Sequence, residues 1–281
     1  MKKIVFFNTK GGTGKTTVCY NYGWYLAQKK GSKVLLIDLD PQVNLVQAFG
    51  QEPSNEKGKN LDKLITDHIR GRKVDFDDYT ISINDNIRLL PSSNNISLLE
   101  EYLMDVIIKK KGKSSHQHNS SYRNRLLRRL FEMSIDGQDY DYVLIDSQPN
   151  FSLLSSVALI YARNIVVVAR PDLFSFLDMD YLKKIISNLN KKYYTNIQVN
   201  SIIINAFEKR RNTSKEGVKN IIDKYSGEFN ILQNRIKYLS AFQTSISQER
   251  QPVFVSYPAS EASKNIFKVF EELDRSVSRI Y

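Results

Sequence analysis

Two lysines, three glycines and three threonines fall within eight residues close to the start of the chain. They form the segment Lys10-Gly11-Gly12-Thr13-Gly14-Lys15-Thr16-Thr17. Glycines let the backbone turn its N–H groups towards an anion, and a helix that begins at such a turn adds its own N–H groups. In a loop of this type the second lysine reaches the β- and γ-phosphates of a nucleotide, and the next hydroxyl binds Mg²⁺. The segment therefore predicts a triphosphate site with Lys15 on the phosphates and Thr16 on the metal.

The residues around this segment predict a strand before it and a helix after it. Ile4 to Phe7 is an apolar run of β-branched and aromatic residues, and helical periodicity runs from about Lys15 to Lys30 before Gly31. Lys33 to Asp38 then contains the kind of continuous apolar run that parallel sheets bury on both faces. Strand, helix and strand of these lengths make a βαβ unit.

Acidic residues follow two of the predicted strands. Asp38 and Asp40 come at the end of the second strand, and Asp146 ends the apolar run that begins at Tyr142. Ligands of open α/β sheets bind outside such strand ends, and a carboxylate there can hold Mg²⁺ beside a nucleotide. An alternative for Asp38 and Asp40 is that they cap the next helix.

The loop from Lys10 to Thr16 resembles the deviant Walker A box of the ParA/MinD family of ATPases, K-G-G-x-G-K-[ST]. The strict form G-x-x-x-x-G-K-[ST] is not met, because Thr9 stands where its first glycine belongs. In the family the extra lysine reaches the nucleotide of a partner subunit. The resemblance thus implies that Lys10 acts across an ATP-dependent homodimer, with Lys15 and Asp40 as the other catalytic residues.

The same resemblance assigns the remaining site residues. Asp40 matches the switch I aspartate that positions the attacking water, and Asn205 ends a predicted strand where the family commonly reads the adenine edge. The implied ATP-binding set is Gly11, Gly12, Thr13, Gly14, Lys15, Thr16, Thr17 and Asn205. The implied Mg²⁺ set is Thr16, Asp38 and the Walker B acid Asp146. Gln148 replaces the first proline of the usual switch II sequence Asp-x-Pro-Pro.

The alternation of apolar runs and helical patterns predicts an α/β protein with a P-loop NTPase fold. We expect a mostly parallel, twisted sheet flanked by helices on both faces, in one domain over residues 1–281. Further strands are predicted at Ile87–Leu90, Ile165–Ala169 and Gln198–Asn205, and a short one within Pro252–Pro258. Helices are expected at about Phe176–Asn190 and Asn95–Ile108.

The chain is basic, with 41 Lys and Arg against 30 Asp and Glu and a formal charge of +11, which favours a polyanionic partner. The strongest cluster lies between Val106 and Phe131, where eight Lys or Arg occur and no acid. Its polar middle predicts a basic flexible loop at about 109–125. Direct DNA contact and a solvated spacer both remain open for this loop. His116 and His118 lack a third ligand, so no metal site is expected there.

For the function, the resemblance is closest to ParA/Soj-type partition ATPases of plasmids or chromosomes. It implies an ATP homodimer on non-specific DNA, with slow hydrolysis that a ParB-like adaptor stimulates. Because the first predicted strand starts near residue 1, we expect no N-terminal helix-turn-helix domain. The single cysteine, Cys19, favours a reducing cytoplasm, with association to the nucleoid if DNA is bound. An alternative is ParA-like positioning of a non-DNA cargo.

A second alternative is a MinD-like membrane positioning ATPase with an amphipathic C-terminal anchor. Ser263 to Tyr281 has an apolar stripe consisting of Ile266, Phe270, Leu273, Val277 and Ile280. A last helix packed on the sheet needs the same stripe, and three acids interrupt the basic face. We therefore expect core packing and no stable membrane insertion.

Overall fold

The computed structural model describes residues 1–52, 60–99, 101–103, 116–172 and 175–279. Seven strands in this part of the chain form one sheet in the order β3-β4-β2-β5-β1-β6-β7. The strands are β1 (Lys2–Phe7), β2 (Val34–Asp38), β3 (Ile81–Asn84), β4 (Ile87–Leu90), β5 (Tyr142–Asp146), β6 (Asn164–Ala169) and β7 (Gln198–Ile204). Every neighbouring pair is parallel except β3 and β4. The predicted mostly parallel sheet is confirmed.

Helices cover both faces of this sheet, as predicted. They are α1 (Lys15–Lys30), α2 (Asn44–Ala48), α3 (Leu61–Ile69), α4 (His116–Ile135), α5 (Leu153–Ala162), α6 (Ser175–Tyr193), α7 (Asn212–Tyr225), α8 (Ser240–Thr244), α9 (Val253–Ser256) and α10 (Glu261–Ser278). Residues 96–99 and 101–103 are also helical, and a π-helical turn spans Ser245–Glu249. Helices α1, α2 and α8 to α10 pack on one face, and α3 to α7 on the other.

The central strands are apolar throughout because they are buried on both sides. Along β1, Val5 and Phe7 face one core, whereas Ile4 and Phe6 face the other. The two-residue period of a strand thus divides one continuous apolar run between two helix layers. Because β2, β5 and β1 are neighbouring parallel strands, their carboxyl ends meet at one edge of the sheet. The loop at residues 10–17 follows β1 and therefore lies at this edge.

Two predicted elements differ from the structure. Pro252–Pro258 is not a strand, because its middle forms the one-turn helix α9, in which Val255 N–H donates to the Pro252 carbonyl oxygen at 2.9 Å. The predicted helix Asn95–Ile108 is found at residues 96–99 and 101–103, and its remainder lies outside the described residues.

The predicted flexible loop at about 109–125 is wrong for residues 116–125, which begin helix α4. The buried side chains of Leu127 and Phe131 hold α4 on the sheet, and the Asn124 amide donates to the Ser156 hydroxyl at 2.8 Å. These contacts anchor α4 to the rest of the protein. Residues 109–115 lie outside the described part of the chain, as do the side chains of His116 and His118.

The apolar stripe of the last helix is used for core packing, as expected. Ile266, Phe270, Leu273 and Val277 are all buried, and the Phe270 ring lies 5.2 Å from that of Tyr22 in α1. Ile280 lies outside the described residues. Among the helices that the structure describes, none is long and apolar enough to cross a bilayer.

A buried carboxylate supplies a prediction about stability. Asp67 is 4% exposed and accepts hydrogen bonds from Lys63 Nζ at 2.5 Å and from the Tyr79 hydroxyl at 2.9 Å. Burial raises the pKa of Asp67, but these hydrogen bonds outweigh burial and leave its pKa below the ordinary value. We expect Asp67→Asn to lower the free energy of unfolding at pH 7 by about 1–3 kcal/mol, measured by urea denaturation.

This difference between wild type and Asp67→Asn should disappear in acid. Because the native pKa is depressed, the stabilisation is present above the unfolded pKa of about 3.9 and is lost as the pH falls through the native pKa. Asp78→Asn is a matched control, since Asp78 is exposed beside the same cluster. If the difference in unfolding free energy between wild type and Asp67→Asn stayed constant down to pH 2, the explanation by the ionised carboxylate would be wrong.

Candidate nucleotide-binding site

The loop between β1 and α1 has the backbone conformation that a phosphate cradle needs. Gly12 and Gly14 have φ angles of 68° and 92°, in the left-handed region that favours glycine. The Asn205 side-chain amide donates to the Thr13 carbonyl oxygen at 2.7 Å, and a Cβ on Gly14 would lie 2.1 Å from the Asn205 Nδ2 atom. Asn205 therefore braces the loop against the end of β7. Its predicted contact with adenine stays a prediction.

Lys15 lies inside the loop. Its side chain is 6% exposed, and its Nζ atom donates to the Lys10 carbonyl oxygen at 3.2 Å. Burial lowers the pKa of Lys15, while the nearby carboxylates of Asp146 and Asp40 act in the opposite direction. A buried ammonium beside a glycine loop is suited to an anionic ligand.

Asp146 carries two carboxylate oxygens without a hydrogen bond of ordinary geometry among the described residues, although the Thr16 hydroxyl lies close enough to lower the pKa of this carboxyl group. Its carboxylate is fully buried at the end of β5, and neither oxygen has hydrogen-bond geometry with a described residue. Burial raises the pKa of Asp146 to about 7, while the nearby Thr16 hydroxyl and Lys15 ammonium lower it. Buried oxygens without donors fit a hard cation, since Mg²⁺ is usually held by one or two carboxylates together with phosphate oxygens. The residues present therefore fit Mg²⁺.

Asp38 and Asp40 occupy different environments despite their closeness in sequence. Asp38 is fully buried and accepts hydrogen bonds from the N–H groups of Asp40 at 2.9 Å and Val46 at 3.2 Å. Burial and the nearby Asp146 raise the pKa of Asp38 well above its ordinary value. These contacts favour the capping alternative for Asp38. Asp40 instead lines the open cleft beside the loop.

The cleft at the loop has a volume of about 680 Å³ and extends beyond the predicted site. The predicted residues Gly11 to Thr17 and Asp40 line it, as does Pro149 of the switch II segment. Sequence reasoning missed further lining residues, which are Asn44, Gln47, Ala48, Ile246, Ser247 and Arg250. These residues come from segments without a phosphate-binding pattern, so only the fold brings them to the cleft.

Lys10 is directed differently from Lys15. Its Nζ atom forms an ion pair with Asp172 Oδ2 at 2.7 Å, and the two side chains are 33% and 35% exposed. Asp172 lies in the turn after β6. Lys10 does not line its own cleft, which leaves its ammonium accessible at the surface beside it.

Comparison with known proteins identifies the family. The family profile described as "AAA domain" (AAA_31) matches residues 1–199. The virulence plasmid ParA family protein pGP5-D of Chlamydia psittaci is 28% identical over 277 residues, covering 99% of this chain and 96% of that protein. Cell division protein PomZ of Myxococcus xanthus is 28% identical over 272 residues, covering 97% of this chain and 77% of that protein.

Solved structures share the fold over almost the whole chain. Apo McdA of Cyanothece has a TM-score of 0.78 at 23% identity and covers 97% of this chain and 99% of its own. A putative plasmid partition protein of Borrelia burgdorferi B31 has a TM-score of 0.72 at 19% identity, covering 100% of this chain and 99% of its own. Since the family profile spans well over half of the residues, the chain belongs to the AAA_31 family of ParA/MinD-like P-loop ATPases.

Proposed function

We propose that this protein is a dimerising switch ATPase for DNA partition. The observation that carries the ATPase assignment is that Lys15 and Thr16 line one cleft, while the buried Asp146 carboxylate lies close to both of them. The relatives named as ParA family and plasmid partition proteins support a partition role. In this proposal the ATP-bound homodimer binds DNA without sequence preference, and a ParB-like adaptor bound to cargo stimulates hydrolysis.

The chain's own residues act mainly by positioning and by charge. Backbone N–H groups of the glycine loop and Lys15 hold the phosphates, and Asp40 orients the attacking water. Thr16 and Asp146 hold Mg²⁺, which neutralises negative charge on the phosphates when bound. Lys10 leaves Asp172 and reaches the partner's nucleotide, so ATP binding and dimerisation are coupled.

A basic groove offers a surface for DNA. Two adjoining clefts of about 540 and 270 Å³ share Phe207 and Arg235. Four exposed lysines line them in i,i+4 pairs, Lys215 and Lys219 on α7 and Lys264 and Lys268 on α10. None of the four forms an ion pair within the described part of the chain, whereas the nearby Lys237 is neutralised by Glu261 at 2.5 Å.

Spacing and charge suit this basic groove to a phosphate backbone. The i,i+4 spacing places each lysine pair on one helix face, and Arg235 lines both clefts with its guanidinium over the Phe207 ring. Such contacts to phosphates carry no sequence information and weaken as salt displaces them. The groove therefore supports non-specific binding to duplex DNA.

The test is binding to a short duplex of unrelated sequence without nucleotide, with ADP and with ATP plus Mg²⁺, over a series of salt concentrations. We expect ATP-selective binding, and we expect replacement of the four groove lysines by glutamine to reduce the salt slope by about 2 to 4. The control removes equal charge from α6 through Lys183, Lys184, Lys191 and Lys192. No binding by wild type under any condition contradicts the partition proposal, and equal losses in both variants contradict the groove.

A non-DNA cargo is the alternative within the same family, because one relative is named a cell division protein. The DNA experiment does not identify the cargo. Proteins retained by an ATP-locked Asp40→Ala dimer and released from wild type on hydrolysis would identify the adaptor. An adaptor without a DNA-binding domain would favour the alternative.

A further inference from the structure

Arg250 has a backbone conformation that normally belongs to glycine. It follows the π-helical turn Ser245–Glu249 with φ 52° and ψ 35°, in the left-handed region. A side chain in that region is strained, and such strain is retained where the surroundings or the function require the residue. Single π-helical turns likewise occur frequently at functional sites. The chain carries an arginine where folding alone favours glycine.

The residue opposite Arg250 leaves room for its side chain. Gly50 also has a positive φ, of 68°, and a Cβ at this position would lie 2.8 Å from Arg250 Cδ and 3.2 Å from Arg250 Nη1. The Arg250 side chain therefore passes over a backbone position that has no side chain of its own. The Cδ atom and the Nε and Nη1 atoms of the guanidinium lie beside Gly50, and Arg250 is one of the residues that line the cleft.

The guanidinium has no anionic partner within the described chain. Arg250 lines the same cleft as Lys15 and Thr17. No ion pair or side-chain hydrogen bond joins it to any residue that the structure describes, whereas Arg72 and Arg128 each bind a carboxylate. A cation that lines the cleft and has no anionic partner among the described residues is available to an anionic ligand.

We propose that Arg250 is a nucleotide-contacting residue whose guanidinium binds phosphate oxygens of ATP in the cleft that it shares with Lys15. Guanidinium groups bind phosphate by paired, charge-assisted hydrogen bonds. The contact joins the segment that leads into α9 and α10 to the nucleotide. This inference rests on the ATP site of the proposed function and does not require DNA binding.

The test uses Arg250→Gly, because this substitution separates folding from binding. Glycine takes φ 52° without strain, so we expect the melting temperature of the nucleotide-free protein to stay unchanged or rise. We expect the Kd for ATP with Mg²⁺, measured by calorimetry, to rise about tenfold. The loss should increase from AMP to ADP to ATP, and Arg250→Lys should retain part of the affinity.

The matched control is Arg163→Gly. Arg163 is an exposed arginine with φ 61° at the end of α5, and it does not line the cleft. Arg163→Gly should relieve similar strain and leave the Kd for ATP unchanged. The proposal is overturned if Arg250→Gly binds ATP as wild type does. It is also overturned if Arg250→Gly melts well below wild type, since Arg250 then acts by packing on Gly50. Wild type that fails to bind ATP refutes the ATP site itself.

Discussion

Lys15→Ala should bind ATP about a hundredfold more weakly than wild type. Lys15 is 6% exposed, and its ammonium sits within hydrogen-bond distance of the loop backbone, so it is already desolvated and positioned. Because the ammonium is already in position, little of the binding free energy is lost to rearrangement of the side chain. The measurement is a titration of monomeric protein with ATP and Mg²⁺, followed by fluorescence or calorimetry.

Lys10→Ala is the matched control, because it removes the same functional group from the same loop. Lys10 pairs with Asp172 at the surface and does not line its own cleft. We expect Lys10→Ala to leave ATP affinity of the monomer close to that of wild type and to abolish ATP-dependent dimerisation, seen by analytical ultracentrifugation. If both variants lost monomer affinity equally, Lys10 would act in cis and the proposed role across the dimer would be wrong.

The strands of the sheet could be predicted because each is identified by a short stretch of its own sequence. Continuous apolar runs mark β1, β2, β5 and β6, since a strand buried on both faces has no polar position to interrupt it. Helix α1 begins and ends at left-handed glycines, and the predicted bounds are those of the structure. One-turn helices such as α9 carry too few residues for a periodic signal, so tertiary contacts decide their conformation.

The site was predictable where one loop builds it and unpredictable where several segments meet. The conformation of the glycine loop follows from its own residues. Asp38 and Asp40, by contrast, have the same side chain and differ in the amides that face them and in whether they line the cleft. The sequence could not show that Val46 N–H turns back to Asp38. Nor could the sequence predict a role for Arg250. The positive φ angle of Arg250 and the approach of its side chain to Gly50 depend on the folded structure and not on residue type.

Asp146→Asn should stabilise the nucleotide-free protein and abolish its hydrolysis of ATP. Burial raises the native pKa of Asp146 to about 7, whereas an unfolded aspartate titrates near 3.9. Between these values the native state binds the extra proton, so stability falls as the pH rises and the penalty is complete above pH 7. Asparagine carries no charge, and we expect about 1–3 kcal/mol more unfolding free energy than wild type at pH 8.

The same substitution removes a ligand of Mg²⁺. ATP with Mg²⁺ should therefore no longer raise the melting temperature more than ATP with EDTA does. The rate of ATP hydrolysis should fall about a thousandfold. Asp40→Ala is the contrasting variant, because Asp40 lines the cleft and leaves the buried oxygens of Asp146 intact. It should retain Mg²⁺-dependent stabilisation by ATP while losing hydrolysis. If Asp146→Asn were less stable than wild type at pH 8, the Asp146 carboxylate would be satisfied by hydrogen bonds in the native protein. The basis for Mg²⁺ at this position would then be removed.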